Sequence, residues 1–237
     1  STPILNQSNT GYRIFFGTQN GAYYYKQPLL RTNSLPVIKV SPLAGETFMV
    51  MDNRLGIYDN WNFNMAFESR NNIKDLQVKK ILANEYGDKY FLIAANGSLY
   101  ETEIAKQNIK LRKKDLPHFV SEGDWNNNFK KLLLADDYYV YYYSPESGVV
   151  SNRLKLPSGV TSIKVNSKEF DVLMGLTNGQ LFIYSQDLST VKQNLTLSKA
   201  PLTSIEVDPL DHYAYVGDDD GFLYTVDLLK NKVINTQ

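Results

Sequence analysis

The chain has 237 residues, and its 25 Lys+Arg balance 25 Asp+Glu to a formal net charge of zero. It contains no Cys and only two His, beside 17 Tyr and 11 Phe. That composition excludes disulfides, thiolate metal sites and a cysteine nucleophile, leaves zinc only an uncommon carboxylate-rich site, and argues against nucleic acid as the primary ligand.

No run approaches the roughly 18–20 apolar residues of a spanning helix, and no apolar signal-peptide core is visible. Membrane insertion is therefore not expected, and the compartment stays open, with cytoplasm or nucleus favoured. Asn6, Asn96 and Asn194 begin Asn-x-Ser/Thr triplets. In so Asn-rich a chain such triplets arise by chance, so they do not establish secretion.

Taken in chain order, the predicted elements are all strands. Pro3-Ile4-Leu5 leaves room for one short strand, and residues 12–25 then fold back about Asn20-Gly21. Val37-Ile38-Lys39-Val40 starts the next group, whose turn is a degenerate Asn53-Arg54-Leu55. Residues 73–83 are the one contender for a helix, and we read them as strand. Tyr90-Phe91-Leu92-Ile93-Ala94 leads into Asn96-Gly97-Ser98-Leu99-Tyr100, a hairpin signal because Asn and Gly tolerate the positive φ of the primed turns. Residues 122–128 read as a polar loop carrying Trp125, followed by the turn Asp136-Asp137 and the run Tyr138-Tyr139-Val140-Tyr141-Tyr142-Tyr143. Val149-Val150-Ser151-Asn152-Arg153-Leu154 follows as an outer strand. The last two groups turn at Asn178-Gly179 and Asp220-Gly221, and Lys232-Val233-Ile234-Asn235 ends the series.

These groups repeat. Thr161-Ser162-Ile163-Lys164-Val165-Asn166 matches Thr203-Ser204-Ile205-Glu206-Val207-Asp208 at an offset of 42, and Asn178-Gly179-Gln180-Leu181-Phe182 faces Asp220-Gly221-Phe222-Leu223-Tyr224 at the same offset. Turns near 21, 54, 97, 137, 179 and 221 give six copies, approximately 1–33, 34–72, 73–115, 116–158, 159–200 and 201–237. About four short strands per copy at this period predict an all-β propeller of about six four-stranded antiparallel blades in a single domain. The first copy is short, so the ring is either complete, incomplete or closed by a partner. A β-sandwich has no reason to repeat its sequence every 42 residues.

Gly217-Asp218-Asp219-Asp220-Gly221-Phe222-Leu223-Tyr224-Thr225-Val226-Asp227 resembles the WD40 family hairpin, with Val226-Asp227 where that family has Trp-Asp. Tyr58-Asp59 after Ile57 does the same in the second copy. No Gly-His pair opens a repeat and no Trp-Asp dipeptide occurs, so the family's His-Ser/Thr-Trp network cannot be assembled and the subfamily is not identifiable. The resemblance implies a non-catalytic scaffold for protein–protein interaction, or a subunit of a larger assembly. It also implies that partners meet the face lined by hairpin ends and by the connections between repeats.

Several clusters invite a chemical reading. Asp218-Asp219-Asp220-Gly221 could gather a hard cation, but the repeat places it at a hairpin turn and the alternating-acid calcium loop is absent, so no metal or cofactor is expected. Lys110, Arg112, Lys113 and Lys114 read as a solvated outer edge. His118 and His212 are isolated, and no Gly-x-Ser-x-Gly elbow or phosphate loop accompanies them, so no catalytic residues are assigned. Aromatic residues in loops, and Tyr on alternate strand positions, remain as a candidate interaction surface: Trp61, Phe63, Trp125, Asn127, Tyr139, Tyr141 and Tyr143. The alternative reading is a lectin-like propeller that stacks glycans on exposed Tyr and Trp. A metal-bearing hydrolase or lyase is the third and weakest.

Overall fold

The computed structural model describes residues 4–8, 11–18, 21–25, 30–31, 37–42, 46–51, 55–59, 64–68, 73, 76–84, 89–105, 108–166, 168, 170–208 and 212–237. Among them the chain is all-β: 24 strands form six four-stranded antiparallel sheets, and there is no α-helix. In every sheet consecutive strands are neighbours, and none closes on itself. The chain divides into two compact units, Ser1–Asp115 and Leu116–Gln237, each with three sheets.

In the first unit, sheet 1 comprises β1 (Ile4–Ser8), β2 (Gly11–Thr18), β3 (Gly21–Tyr25) and β4 (Leu30–Arg31). Sheet 2 comprises β5 (Val37–Pro42), β6 (Glu46–Met51), β7 (Leu55–Asp59) and β8 (Asn64–Glu68). Sheet 3 comprises β9 (Val78–Ala83), β10 (Tyr90–Ala94), β11 (Leu99–Ala105) and β12 (Asn108–Lys113). The stretch read as strand rather than helix at 73–83 contributes β9, preceded by a tight turn in which Leu76 N donates to Ile73 O at 2.9 Å. β5 lies beside β9, so Phe48, Val50, Leu55 and Ile57 of sheet 2 pack on Val78, Tyr90 and Leu92 of sheet 3. The Phe48 and Tyr90 rings stack with centroids 4.3 Å apart. At the outer edge, Lys110, Arg112 and Lys113 are exposed on β12, and Lys114 pairs with Glu101 at 2.7 Å.

In the second unit, sheet 4 comprises β13 (Glu122–Asn126), β14 (Lys131–Asp136), β15 (Tyr139–Tyr143) and β16 (Val150–Lys155). Sheet 5 comprises β17 (Val160–Asn166), β18 (Asp171–Leu176), β19 (Gln180–Ser185) and β20 (Val191–Thr196). Sheet 6 comprises β21 (Leu202–Val207), β22 (Tyr213–Asp218), β23 (Leu223–Asp227) and β24 (Lys232–Thr236). The first strands again lie side by side, β13 next to β17 and β17 next to β21. Leu133, Ala135, Val140 and Tyr142 of sheet 4 pack on Val172, Met174, Phe182 and Tyr184 of sheet 5. The opposite face of sheet 5, with Leu173, Leu181 and Ile183, packs on Leu202, Ile205, Ala214 and Val216 of sheet 6. A sheet covered on both faces reads as a continuous apolar run, which is why Asp171–Leu176 shows no polar alternation.

One expectation is corrected. Residues 122–128 are not a loop: 122–126 form the first strand of sheet 4, paired with Lys131–Ala135, and the turn is confined to 127–130. Its polar side chains are used for bonding instead of marking a loop. Asp124 Oδ2 accepts the Val165 amide of β17 at 2.8 Å, and Asn126 Oδ1 accepts the amides of Asn128 and Phe129, each at 3.0 Å.

Candidate functional site

Trp61 and Phe63 lie outside the described residues. The other five candidates all belong to sheet 4, but the sheet does not bring them together. Trp125 is half-buried on β13 opposite Leu132, which in turn pairs with Tyr143, and Asn127 begins the adjoining turn. Tyr139 stands four residues before Tyr143 on β15, roughly 13 Å away at the opposite end of the sheet. Period-2 geometry places Tyr139, Tyr141 and Tyr143 on one face as expected, with Tyr142 on the other. However, Tyr141 and Tyr143 are buried, so neither offers a ring to a ligand.

Around Trp125 and Asn127 the chemistry is structural. Asn126 Nδ2 donates to Tyr142 Oη at 2.8 Å, and Tyr142 Oη donates to Gln186 O at 2.5 Å. Gln186 Nε2 donates to Asn166 O at 3.1 Å, while its Oε1 accepts Asn128 Nδ2 at 3.0 Å. The Phe129 ring meets Tyr142 edge-on at 5.3 Å. This network ties the first hairpin of sheet 4 to the outer turn of sheet 5. Burial raises the Tyr142 hydroxyl pKa well above its usual value, against the opposing bond from Asn126.

The accessible chemistry collects at the other end, where β14 turns into β15. Asp136 Oδ1 accepts the Tyr139 amide at 3.2 Å, which fixes the carboxylate at the turn. Arg153 on β16 sets its guanidinium 3.9 Å from the centre of the Tyr139 ring and its Nη2 3.5 Å from Asp136 Oδ2. His118 Nδ1 approaches the same oxygen to 3.8 Å. Lys155, paired with Tyr139 across the strands, lies 6.0 Å from that ring. Phe119 and Tyr138 are 77% and 51% exposed. Tyr141, on the same face as Tyr139, has its pKa pushed up to about 12 by burial, then by the Asp136 charge, with Arg153 opposing.

This arrangement is a cation–π and ion-pair cluster bordered by open aromatic rings. The His118–Asp136 spacing is that of a loose ion pair and is beyond the hydrogen-bond range of an oriented general base. In the sequence His118 stands isolated and Arg153 belongs to no motif. The available signal was register: Arg153 lies two residues before Lys155, which faces Tyr139.

The acidic run near the end of the chain is used by its own hairpin. Asp218 Oδ1 accepts the Phe222 amide at 2.8 Å, and Oδ2 accepts Tyr224 Oη at 3.0 Å. Burial works to raise this carboxyl, but bonds from Ser198, Phe222 and Tyr224 outweigh it and hold its pKa below the usual 3.8. Among the described residues no group of three or more His, Asp or Glu converges as a metal site would require. No helix among them is long and apolar enough to cross a membrane. No protein-family model matches the chain, and a search of curated proteins returned no match.

Proposed function

We propose that the chain is a non-catalytic protein-interaction scaffold, built on a WD40-like propeller and acting as a subunit of a larger assembly. Support for the propeller comes from the 42-residue repeat, the four-stranded meander in each copy, and the side-by-side first strands within each unit. The observation that carries the functional reading is the exposed end of sheet 4. Phe119 stands on a repeat-joining connection and Tyr138 on a hairpin end, the positions at which the WD40 resemblance implies partner contacts, and Arg153 of β16 stacks on Tyr139 beside them. Aromatic residues and Arg are the side chains most enriched at the energetic centres of protein interfaces.

The glycan-binding alternative is less well supported, because Tyr141 and Tyr143 are buried and Arg153 already covers one face of Tyr139. Affinity capture from cells of the source, comparing the wild-type chain with Tyr138→Ala and Arg153→Ala, tests the proposal. Each substitution is expected to weaken a specific protein partner about tenfold. Capture of no specific protein, together with a positive glycan array, would replace this reading with the lectin-like one.

A further inference from the structure

Three Asn-Gly pairs occur in the chain, at 20–21, 96–97 and 178–179. Such a pair is chemically labile, because glycine carries no Cβ to keep its nitrogen away from the preceding side-chain carbonyl. Asn20 lies outside the described residues. The other two pairs stand in equivalent turns, after β10 and after β18, and both glycines take a φ of 76 degrees.

We propose that Asn96 is a modification site, at which the folded chain converts asparagine to aspartate and isoaspartate with water as the only co-reactant. Asn178, in the same sequence context, is held unreactive. The inference is independent of the interaction-scaffold reading.

The chemistry balances within the turn. Gly97 N loses its proton and attacks Asn96 Cγ, so that an N–Cγ bond forms and the Cγ–Nδ2 bond breaks. The proton returns through solvent to Nδ2, which leaves as ammonia, and a five-membered succinimide remains. Water then opens the ring. Breaking the N–Cγ bond gives aspartate, whereas breaking the bond from Gly97 N to the Asn96 backbone carbonyl gives isoaspartate.

At Asn96 the turn favours this attack. Ser98 N donates to Asn96 Oδ1 at 3.0 Å, which folds the side-chain carbonyl back over the turn and polarises it. The same amide is a ready donor to the oxyanion that forms as Gly97 N attacks. Asn96 Nδ2 makes no hydrogen bond among the described residues, so nothing retains the leaving ammonia. Asn96 is exposed and Gly97 half-buried, which lets solvent reach both reacting groups. One bond opposes the attack, from Gly97 N to Ala94 O at 2.9 Å.

Asn178 shares the polarising bond, from Gln180 N to Oδ1 at 3.3 Å, but little else. Its Nδ2 donates to Gln180 Oε1 at 2.7 Å, which retains the leaving group. Gly179 is buried, and its N donates to Leu176 O at 3.1 Å. Its carbonyl accepts the amides of Leu197 and Ser198, at 3.0 and 3.3 Å. The glycine is also wedged beneath Ser198, since a Cβ on it would stand 2.1 Å from Ser198 O. Among the described residues no amide clamps Gly97 O in this way.

Sheet 6 shows that one product fits such a turn, because Asp220-Gly221 stands 42 positions beyond Asn178-Gly179. Aspartate at 96 therefore keeps the hairpin and adds a negative charge, whereas isoaspartate inserts a backbone methylene between β10 and β11.

The test incubates the full chain at mildly alkaline pH, folded and in urea. Peptide mapping follows the exchange of amide for acid, and enzymatic methylation counts isoaspartate. In the folded chain the Asn96 peptide should convert at least about tenfold faster than the Asn178 peptide, which has several more hydrogen bonds to break. In urea the two should react alike. Asn96→Asp should keep the wild-type thermal midpoint and remove the isoaspartate signal from this peptide. The inference is overturned if Asn178 converts as fast as Asn96 in the folded chain, or if Asn96 reacts only in urea. A difference that persists unchanged in urea also overturns it, since the turn geometry would then play no part.

Discussion

Two adjacent tyrosines on β15 separate packing from hydrogen bonding. Tyr142 is buried with its hydroxyl donating to Gln186 O and accepting from Asn126 Nδ2, so Tyr142→Phe strands both partners in a dry environment. Leaving buried partners unpaired costs about 1–3 kcal/mol, and that loss is expected in urea denaturation. Tyr141 is buried too, but its hydroxyl makes no hydrogen bond among the described residues. Tyr141→Phe removes an unsatisfied group and should leave stability unchanged or raise it by about 1 kcal/mol. Equal losses in the two variants would show that the Asn126–Tyr142–Gln186 network carries no special weight. The sequence made this contrast only half legible. Alternation assigned Tyr141 and Tyr142 to opposite faces, but where both faces are buried it cannot say which hydroxyl finds a partner. The partner of Tyr142 is a backbone carbonyl 44 positions away along the chain.

At the level of the element, the hairpins fall where Asn-Gly and Asp-Gly place them, but they are three-residue turns instead of the expected two-residue primed ones. Gly97, Gly179 and Gly221 donate to the carbonyls of Ala94, Leu176 and Asp218, and only the glycine of each turn takes positive φ. Gly97, Gly179 and Gly221 all take positive φ, at 76, 76 and 89 degrees. Yet equivalent glycines are not equally replaceable. A Cβ on Gly179 would stand 2.1 Å from Ser198 O, which is backbone, whereas on Gly221 it would meet nothing within 4 Å. Gly221→Ala therefore carries only the left-handed backbone cost of roughly 1–2 kcal/mol. Gly179→Ala must also displace the chain at Ser198, and a clearly larger loss of thermal midpoint is expected; equal losses would refute the close-approach argument.

The turns also set an acid response. Bonds from Ser185 and Ser189 lower the Asp187 pKa, and the Lys230 amide, with its ammonium, lowers that of Asp227. Asp218 is lowered as well, its turn bonds outweighing burial. A carboxylate held below its unfolded value binds fewer protons when folded, so its stabilisation is present above the unfolded value of 3.8 and is lost as pH falls through the folded one. From these carboxylates, urea midpoints should be flat between about pH 5 and about pH 9 and fall below about pH 5. Asp218→Asn should be less stable at neutral pH, with the gap closing as pH falls through the folded value, whereas a constant gap would show that the charge of Asp218 is not involved.

Across the whole chain, the 42-residue period was enough to foresee six four-stranded sheets, since each copy carries its own turn signal. It could not show which sheet face stays open. Leu173 and Tyr215 are both apolar residues at the same repeat position, and only the presence of a following sheet distinguishes buried from exposed. The polar first strand of sheet 4 was missed for a related reason, because the amide that Asp124 accepts belongs to the next repeat.

Stability in such an array is a sum of sheets and the contacts between neighbours, so it should be graded along the second unit. Within this unit sheet 5 packs on a neighbour at both faces and sheet 6 at one, and sheet 6 ends in a fully exposed β24. Amides of β18 and β19 are therefore expected to exchange with solvent at least about tenfold more slowly than those of β22 and β23. Leu181→Ala empties part of the contact between sheets 5 and 6 at a cost of about 2–5 kcal/mol. Its effect on exchange should be largest in sheet 6, smaller in sheet 5 and least in sheet 4. Uniform acceleration across all three sheets would mean that the unit opens as one cooperative block, and the nearest-neighbour account would have to be abandoned.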